Sequence, residues 1–222
     1  MRPMREWGSQ ALRLYLVTDT ALSRGRTLRD VVAAAVQGGV SCVQLREKHL
    51  DTRDFVALAR TLKGLLSPLG VPLVINDRID VALACQADGV HLGQSDMAVQ
   101  DARRLLPPGV FIGWSVETPQ QVQQADRLPV DYLGVSPVFA TPTKTDTSAP
   151  WGLDGLRQVR RATDLPLVAI GGIHHGNAGQ VLQAGADGLA VVSAICSADD
   201  PRAAAAQLLA ASETHSKNTP RP

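Results

Sequence analysis

Two aspartates, Asp77 and Asp96, and a few cations are the residues here whose types and spacing could do chemistry. Asp77 comes just after the apolar run 72–75 and Asn76, while Asp96 follows the apolar run 89–92. Between them IDVALACQ sets Ile79, Val81, Ala82 and Cys85 at helical spacing. A strand–helix–strand unit of parallel strands brings both strand ends to one face of the sheet, which would place the two carboxylates side by side. So placed, they repel unless a cation lies between them. Each has a plainer role as well, because aspartate is a preferred N-cap and each stands before an expected helix. Their company tips the balance: Arg46 and Lys48 lie just past another apolar run, and Lys144 lies in the longest loop. Magnesium takes oxygen ligands and commonly binds through one or two carboxylates plus substrate phosphate. Asp77, Asp96, Asn76, Arg46, Lys48 and Lys144 together suit a magnesium–diphosphate pair, the cations neutralising the remaining charge.

A second anion site is expected across the same face. Gly171-Gly172 follows an apolar run and lets backbone N–H groups approach a ligand, and Val192-Ser193 closes the next run. Thr141 and Thr143 could add hydroxyl donors. His91 sits at a strand end, where a hydrogen-bonded structural role competes with that of a general base, and nothing fixes a role for His174-His175. No nucleophile elbow is present, so covalent catalysis is not indicated.

These residues need a scaffold that gathers strand ends. Strands are expected over 12–18, 40–45, 72–75, 89–92, 110–114, 132–135, 167–170 and 188–192, with helical patterns between them. Thr27 can cap a helix to Gln37 before Gly38-Gly39, and Asp51 or Thr52 one to about Leu66. The expected helix over 97–106 would start directly after Asp96, and Thr118-Pro119-Gln120-Gln121 is a capping-box start. Asp200-Pro201 opens a final Ala/Leu-rich helix. The strands are apolar throughout, as when both faces are buried. Eight such units in 222 residues predict a single α/β domain, a (β/α)8 barrel over 11–212, with an extension at 1–10 and a polar tail at 213–222. An open doubly wound sheet is the alternative, but no G-x-G-x-x-G follows the first strand. The loop over 136–150 is long for a βα connection, and in a barrel it would lie on the face where active sites form.

Net charge of +1 with interspersed signs argues against nucleic-acid or membrane-surface partners. Cys42, Cys85 and Cys196 form no CxxC and lie in apolar surroundings, the pattern of buried thiols in a reducing cytoplasm. No apolar stretch is long enough to span a bilayer.

The segments YLVTD (15–19), VQLREK (43–48), VINDRIDVALACQADGVHLGQSDM (74–97), DYLGVSPVFATPTK (131–144), AIGGI (169–173) and VVSAI (191–195) closely resemble the thiamine-phosphate synthase family, in order and over nearly the whole chain. The resemblance implies a magnesium-dependent barrel transferase that joins a pyrimidine diphosphate to a thiazole phosphate and releases pyrophosphate; whether it assembles as a homo-oligomer is left open by the sequence. It would place Gln44, Leu45, Arg46, Glu47, Lys48, Asn76, Ser115 and Lys144 around the pyrimidine diphosphate. Of these, Arg46, Lys48, Lys144 and Ser115 would assist catalysis, and Asp77 and Asp96 would bind Mg2+. Thr141, Pro142, Thr143, Gly172, Val192 and Ser193 would hold the thiazole phosphate. One departure is SVET at 115–118, which puts Glu117 where the family commonly has His-Thr. A sister thiazole tautomerase on the same barrel, or a non-catalytic phosphate-binding regulator, are the rival expectations. The tautomerase would need no magnesium–diphosphate side.

Overall fold

The computed structural model describes residues 9–141 and 149–216. Eight parallel strands close into a barrel in chain order: β1 Leu14–Val17, β2 Cys42–Leu45, β3 Leu73–Asn76, β4 Gly89–Leu92, β5 Phe111–Val116, β6 Tyr132–Val135, β7 Leu167–Ile170 and β8 Gly188–Val191. Helices follow each strand: α1 Leu28–Gln37, α2 Thr52–Leu66, α3 Ile79–Cys85, α4 Val99–Leu105, α5 Pro119–Ala125, α6 Gly152–Ala162, α7 Ala178–Gln183, and after β8 both α8 Ser193–Cys196 and α9 Pro201–Ser216. This is the (β/α)8 architecture that the sequence predicts.

Local chemistry sets the helix starts. Thr27 caps α1 by accepting from Asp30 N at 3.2 Å, and α1 buries Leu28, Val31, Val32 and Ala35 along one stripe. α5 opens with the expected capping box: Thr118 Oγ1 accepts from Gln121 N, and Gln121 Oε1 accepts from Thr118 N at 3.0 Å. Two apolar cores result. The larger lies between barrel and helices, and the smaller fills the barrel with Leu12, Tyr15, Val17, Cys42, Phe111 and Tyr132 among its members.

One device recurs at the base of the barrel. The residue before each even strand braces the start of the odd strand preceding it. Ser41 Oγ accepts from Leu14 N at 2.9 Å, Asp88 Oδ2 from Leu73 N at 2.8 Å, Asp131 Oδ2 from Ile112 N at 2.8 Å and Asp187 Oδ2 from Leu167 N at 2.9 Å. The three aspartates also pair with a cation from the helix that precedes the braced odd strand: Lys63 of α2 at 2.7 Å, Arg103 of α4 at 2.6 Å and Arg160 of α6 at 2.9 Å, respectively. Burial of these carboxylates is thus matched by charge and by backbone donors.

Three expectations are corrected. Neither Asp77 nor Asp96 caps a helix: Arg78 is the N-cap of α3 and Ala98 that of α4. The chain turns sharply at Asp77, whose φ is +63°, before α3 begins. α4 starts at Val99, because Asp96 turns back to accept from Gly93 N at 2.7 Å. α9 also continues to Ser216, beyond residue 212.

Candidate active site

The C-terminal ends of the strands surround a cavity of about 370 Å³. β3 and β4 pair with Asn76 opposite His91, which brings the following Asp77 and the β4–α4 turn carrying Asp96 to the same rim. Lys48 Nζ donates to Asp77 Oδ2 at 2.5 Å. Burial raises the Asp96 pKa from its ordinary value, and the neighbouring Asp77 raises it further, while the bond from Gly93 N opposes the shift. Two crowded carboxylates on a polar rim form a hard-oxygen donor set of the kind that magnesium takes when substrate phosphate and water complete its shell. Among the described residues no group of three or more His, Cys, Asp or Glu could hold a metal.

Arg46 reaches into the cavity from beyond β2. Its backbone N donates to Thr18 Oγ1 at 3.1 Å, and its guanidinium lies 3.8 Å from Asp19. Gln44, Asn76 and Ser115 line the cavity deeper down, with Gln44 and Asn76 among the buried polar residues. Leu45 and Glu47 are not brought in: Leu45 is buried in the outer core, and Glu47 accepts from Thr20 Oγ1 instead. Glu117 lines the cavity.

On the opposite side, Thr141, Gly172, Val192 and Ser193 line the same cavity. Gly171 and Gly172 have φ of +104° and +64°, and a Cβ on Gly172 would stand 2.8 Å from Phe139 Cβ. The reason is close approach: Val138 N and Phe139 N donate to Ile170 O and Gly171 O at 2.8 and 3.0 Å, laying the start of the long loop along the end of β7. Pro142, Thr143 and Lys144 lie outside the described residues.

Sequence reasoning passed over Tyr15 and Tyr132, which line the cavity floor, and over the bonds that join them to His91. The available signal was a tyrosine inside an otherwise aliphatic strand, whose hydroxyl must find a partner when buried. His174 and His175 pack against each other, 6.0 Å between ring centroids, and neither lines the cavity. The three cysteines are buried and free, and burial pushes the Cys196 thiol up to about 11. No helix among the described residues is long and apolar enough to cross a membrane.

Residues 14–195 match the family model for thiamine monophosphate synthase. A thiamine-phosphate synthase of Albidiferax ferrireducens is 76% identical over 199 residues, covering 90% of this chain and 91% of that one. A second, from Vibrio campbellii, is 54% identical, covering 90% and 97% of the two chains. Among solved structures, a thiamine phosphate pyrophosphorylase from Pyrococcus furiosus superposes with a TM-score of 0.86 at 37% identity, covering 93% of this chain and 98% of that one.

Proposed function

The chain belongs to the thiamine monophosphate synthase family, and from that premise we propose how its residues divide the work. It is a transferase that makes thiamine phosphate from a pyrimidine diphosphate and a thiazole phosphate, releasing pyrophosphate. In our reading the diphosphate lies at the rim beside Arg46, Lys48, Asp77 and Asp96, and Lys144 is assigned to it by the family motif. The pyrimidine ring extends inward over Gln44, Asn76 and Ser115. The thiazole phosphate occupies the far side, at Thr141, Gly172, Val192 and Ser193, with Pro142 and Thr143 assigned from the motif.

The observation that carries this reading is the arrangement of one cavity. A Lys48–Asp77–Asp96 cluster stands on one rim and the Gly171-Gly172 backbone on the other. A bound magnesium ion would screen the diphosphate charge and strengthen the leaving group. Asp77 and Asp96 would hold it, and Arg46 and Lys48 would stabilise the charge that develops as the C–O bond breaks. Electron release from the amino group of the pyrimidine favours that cleavage. The thiazole nitrogen, positioned by its phosphate, then donates its electron pair to the exocyclic carbon. Nothing here needs a protein nucleophile: the work is positioning and electrostatics. Buried free thiols and a biosynthetic role support a cytoplasmic enzyme.

The test is pyrophosphate release on mixing the two substrates, with and without magnesium. We expect release only when both substrates and the metal are present. Turnover of a thiazole phosphate alone would favour the tautomerase, and binding without turnover a regulator.

A further inference from the structure

A chain of hydrogen bonds crosses the barrel interior at the floor of the cavity. Gln44 Nε2 donates to Tyr15 OH at 2.9 Å, and Tyr15 OH lies 2.9 Å from Tyr132 OH. Tyr132 OH lies 2.9 Å from His91 Nδ1, and His91 Nε2 lies 2.9 Å from Ser115 Oγ. The five residues come from β2, β1, β6, β4 and β5. Neighbouring strands make room for it: a Cβ on Gly113 would stand 2.0 Å from Tyr132 Cζ, and one on Gly134 2.9 Å from His91 Cε1. Tyr15 and Tyr132 are buried, and burial holds both phenols well above the usual tyrosine range, so each keeps its proton.

These constraints give the chain one direction. Tyr15 accepts from Gln44, and of the two acceptors beside its hydroxyl, Cys42 Sγ and Tyr132 OH, the oxygen is the stronger, so its own proton goes to Tyr132. Tyr132 must then give its proton to His91 Nδ1, which puts the neutral imidazole's proton on Nε2, donating to Ser115 Oγ. The Ser115 proton is left to point into the cavity, and Gln44 presents its Oε1 there. Reversal must be collective: if Gln44 turned its amide over, every proton would shift and Ser115 would present a lone pair.

We propose that Tyr15, Tyr132 and His91 are positioning residues that tie the free edge of Gln44 to the free edge of Ser115. Recognition of an amino group at Gln44 thereby aims the Ser115 proton at an anionic oxygen of the same substrate. The inference rests on the reading above, which lays the aminopyrimidine over Gln44 with Ser115 beside it. An aminopyrimidine diphosphate offers an N–H to Gln44 Oε1 and phosphate oxygens to Ser115, the right polarity at both ends. A ring with a carbonyl in place of the amino group demands a donor from Gln44. The relay then reverses, and Ser115 turns a lone pair towards the diphosphate. The wrong ring is penalised twice, although only one of its non-hydrogen atoms differs.

The experiment measures dissociation constants, with magnesium present, for the aminopyrimidine diphosphate and its oxo analogue. It compares the unaltered enzyme with Tyr132→Phe, Ser115→Ala and the double variant, with Tyr15→Phe as a second cut in the relay. Each Phe keeps the ring and removes only the hydroxyl. We expect Tyr132→Phe, Tyr15→Phe and Ser115→Ala each to lower the amino-over-oxo preference about tenfold, the worth of one hydrogen bond. Ser115→Ala should change it less than about twofold once Tyr132 is Phe, because the ends are already uncoupled. The imidazole 15N spectrum should show His91 protonated on Nε2. A proton on Nδ1, an unchanged preference in the Phe variants, or independent multiplying effects of Tyr132→Phe and Ser115→Ala would each overturn the relay while leaving the synthase reading intact. If the unaltered enzyme released no pyrophosphate from the two substrates, the reading and the relay would fall together.

Discussion

At the scale of single residues, Asp77 and Asp96 are not helix caps, since the N-cap positions belong to Arg78 and Ala98, and the proposed metal-binding role is what a substitution tests. Asp77→Asn should therefore lower kcat by roughly a hundredfold or more, the size of effect seen when one electrostatic stabiliser of a transition state is lost. The fold should survive, because asparagine tolerates the left-handed backbone at this position as well as aspartate does. Steady-state rates across a magnesium titration, paired with a thermal melt, check this; near-normal rates at limiting magnesium would remove Asp77 from the metal site. Asp96→Asn should cost a similar factor in rate and yet leave Tm unchanged or raised in chelator. Burial and the neighbouring Asp77 both disfavour charge on the carboxylate it replaces. A clear fall in Tm would mean that the Gly93 bond matters more than the repulsion. Lys144→Ala should reduce kcat about a hundredfold to a thousandfold and leave binding of the thiazole phosphate little altered. If only KM for the thiazole phosphate rose, Lys144 would belong to the other subsite.

At the scale of elements, the Asp131 brace is a place to test stability without touching the site. Its Oδ2 accepts from both Arg103 and the Ile112 backbone, and it is buried. Asp131→Ala strands a backbone donor and a partly buried guanidinium, at a cost of about 2–3 kcal/mol. That corresponds to a Tm lowered by about 5–10 °C for a chain of this size. Asp131→Asn, which keeps an acceptor, should lose less; equal losses in the two variants would assign the effect to packing. Sequence patterns revealed the strands well, because each is a short apolar run ended by turn or polar residues, and β4, β6 and β7 have the expected bounds. Helix starts were legible where the cap acts within three residues, as at Thr27 and Thr118. The braces were not, since Ser41, Asp88, Asp131 and Asp187 find their partners 15 to 27 residues away, across a helix. The relay escaped for the same reason: Tyr15 and Tyr132 are 117 residues apart, and each alone reads as core. The rim cluster was legible because Asp77 and Asp96 each lie within four residues of the end of one of two consecutive strands.

At the scale of the whole molecule, the barrel is closed by pairing the first strand with the last and by α9 packing over α1 and α7. Gly38 and Gly39 let α9 approach, since a Cβ on either would meet Arg202 O or Leu209 Cδ2. A chain ending at Asp200 should therefore lose its cooperative thermal transition, not only some degrees of Tm; a sharp melt in the shortened chain would show that the barrel closes without α9.

The alternation of braces also predicts an order in time. Ser41, Asp88, Asp131 and Asp187 each stitch an odd strand to the even strand after it through a side chain, whereas Pro72, Val110 and Pro166, which precede odd strands, have apolar side chains that can make no such stitch. Each two-strand cassette can thus be completed as its own length of chain emerges, before the next exists. The seams β2–β3 and β6–β7, with three rungs each and no side-chain brace, are where the ring would first come apart, while the four-rung β4–β5 ladder holds longer. Native-state hydrogen exchange should find the Leu14, Leu73, Ile112 and Leu167 amides among the last to open, so that the molecule loosens as couples rather than strand by strand.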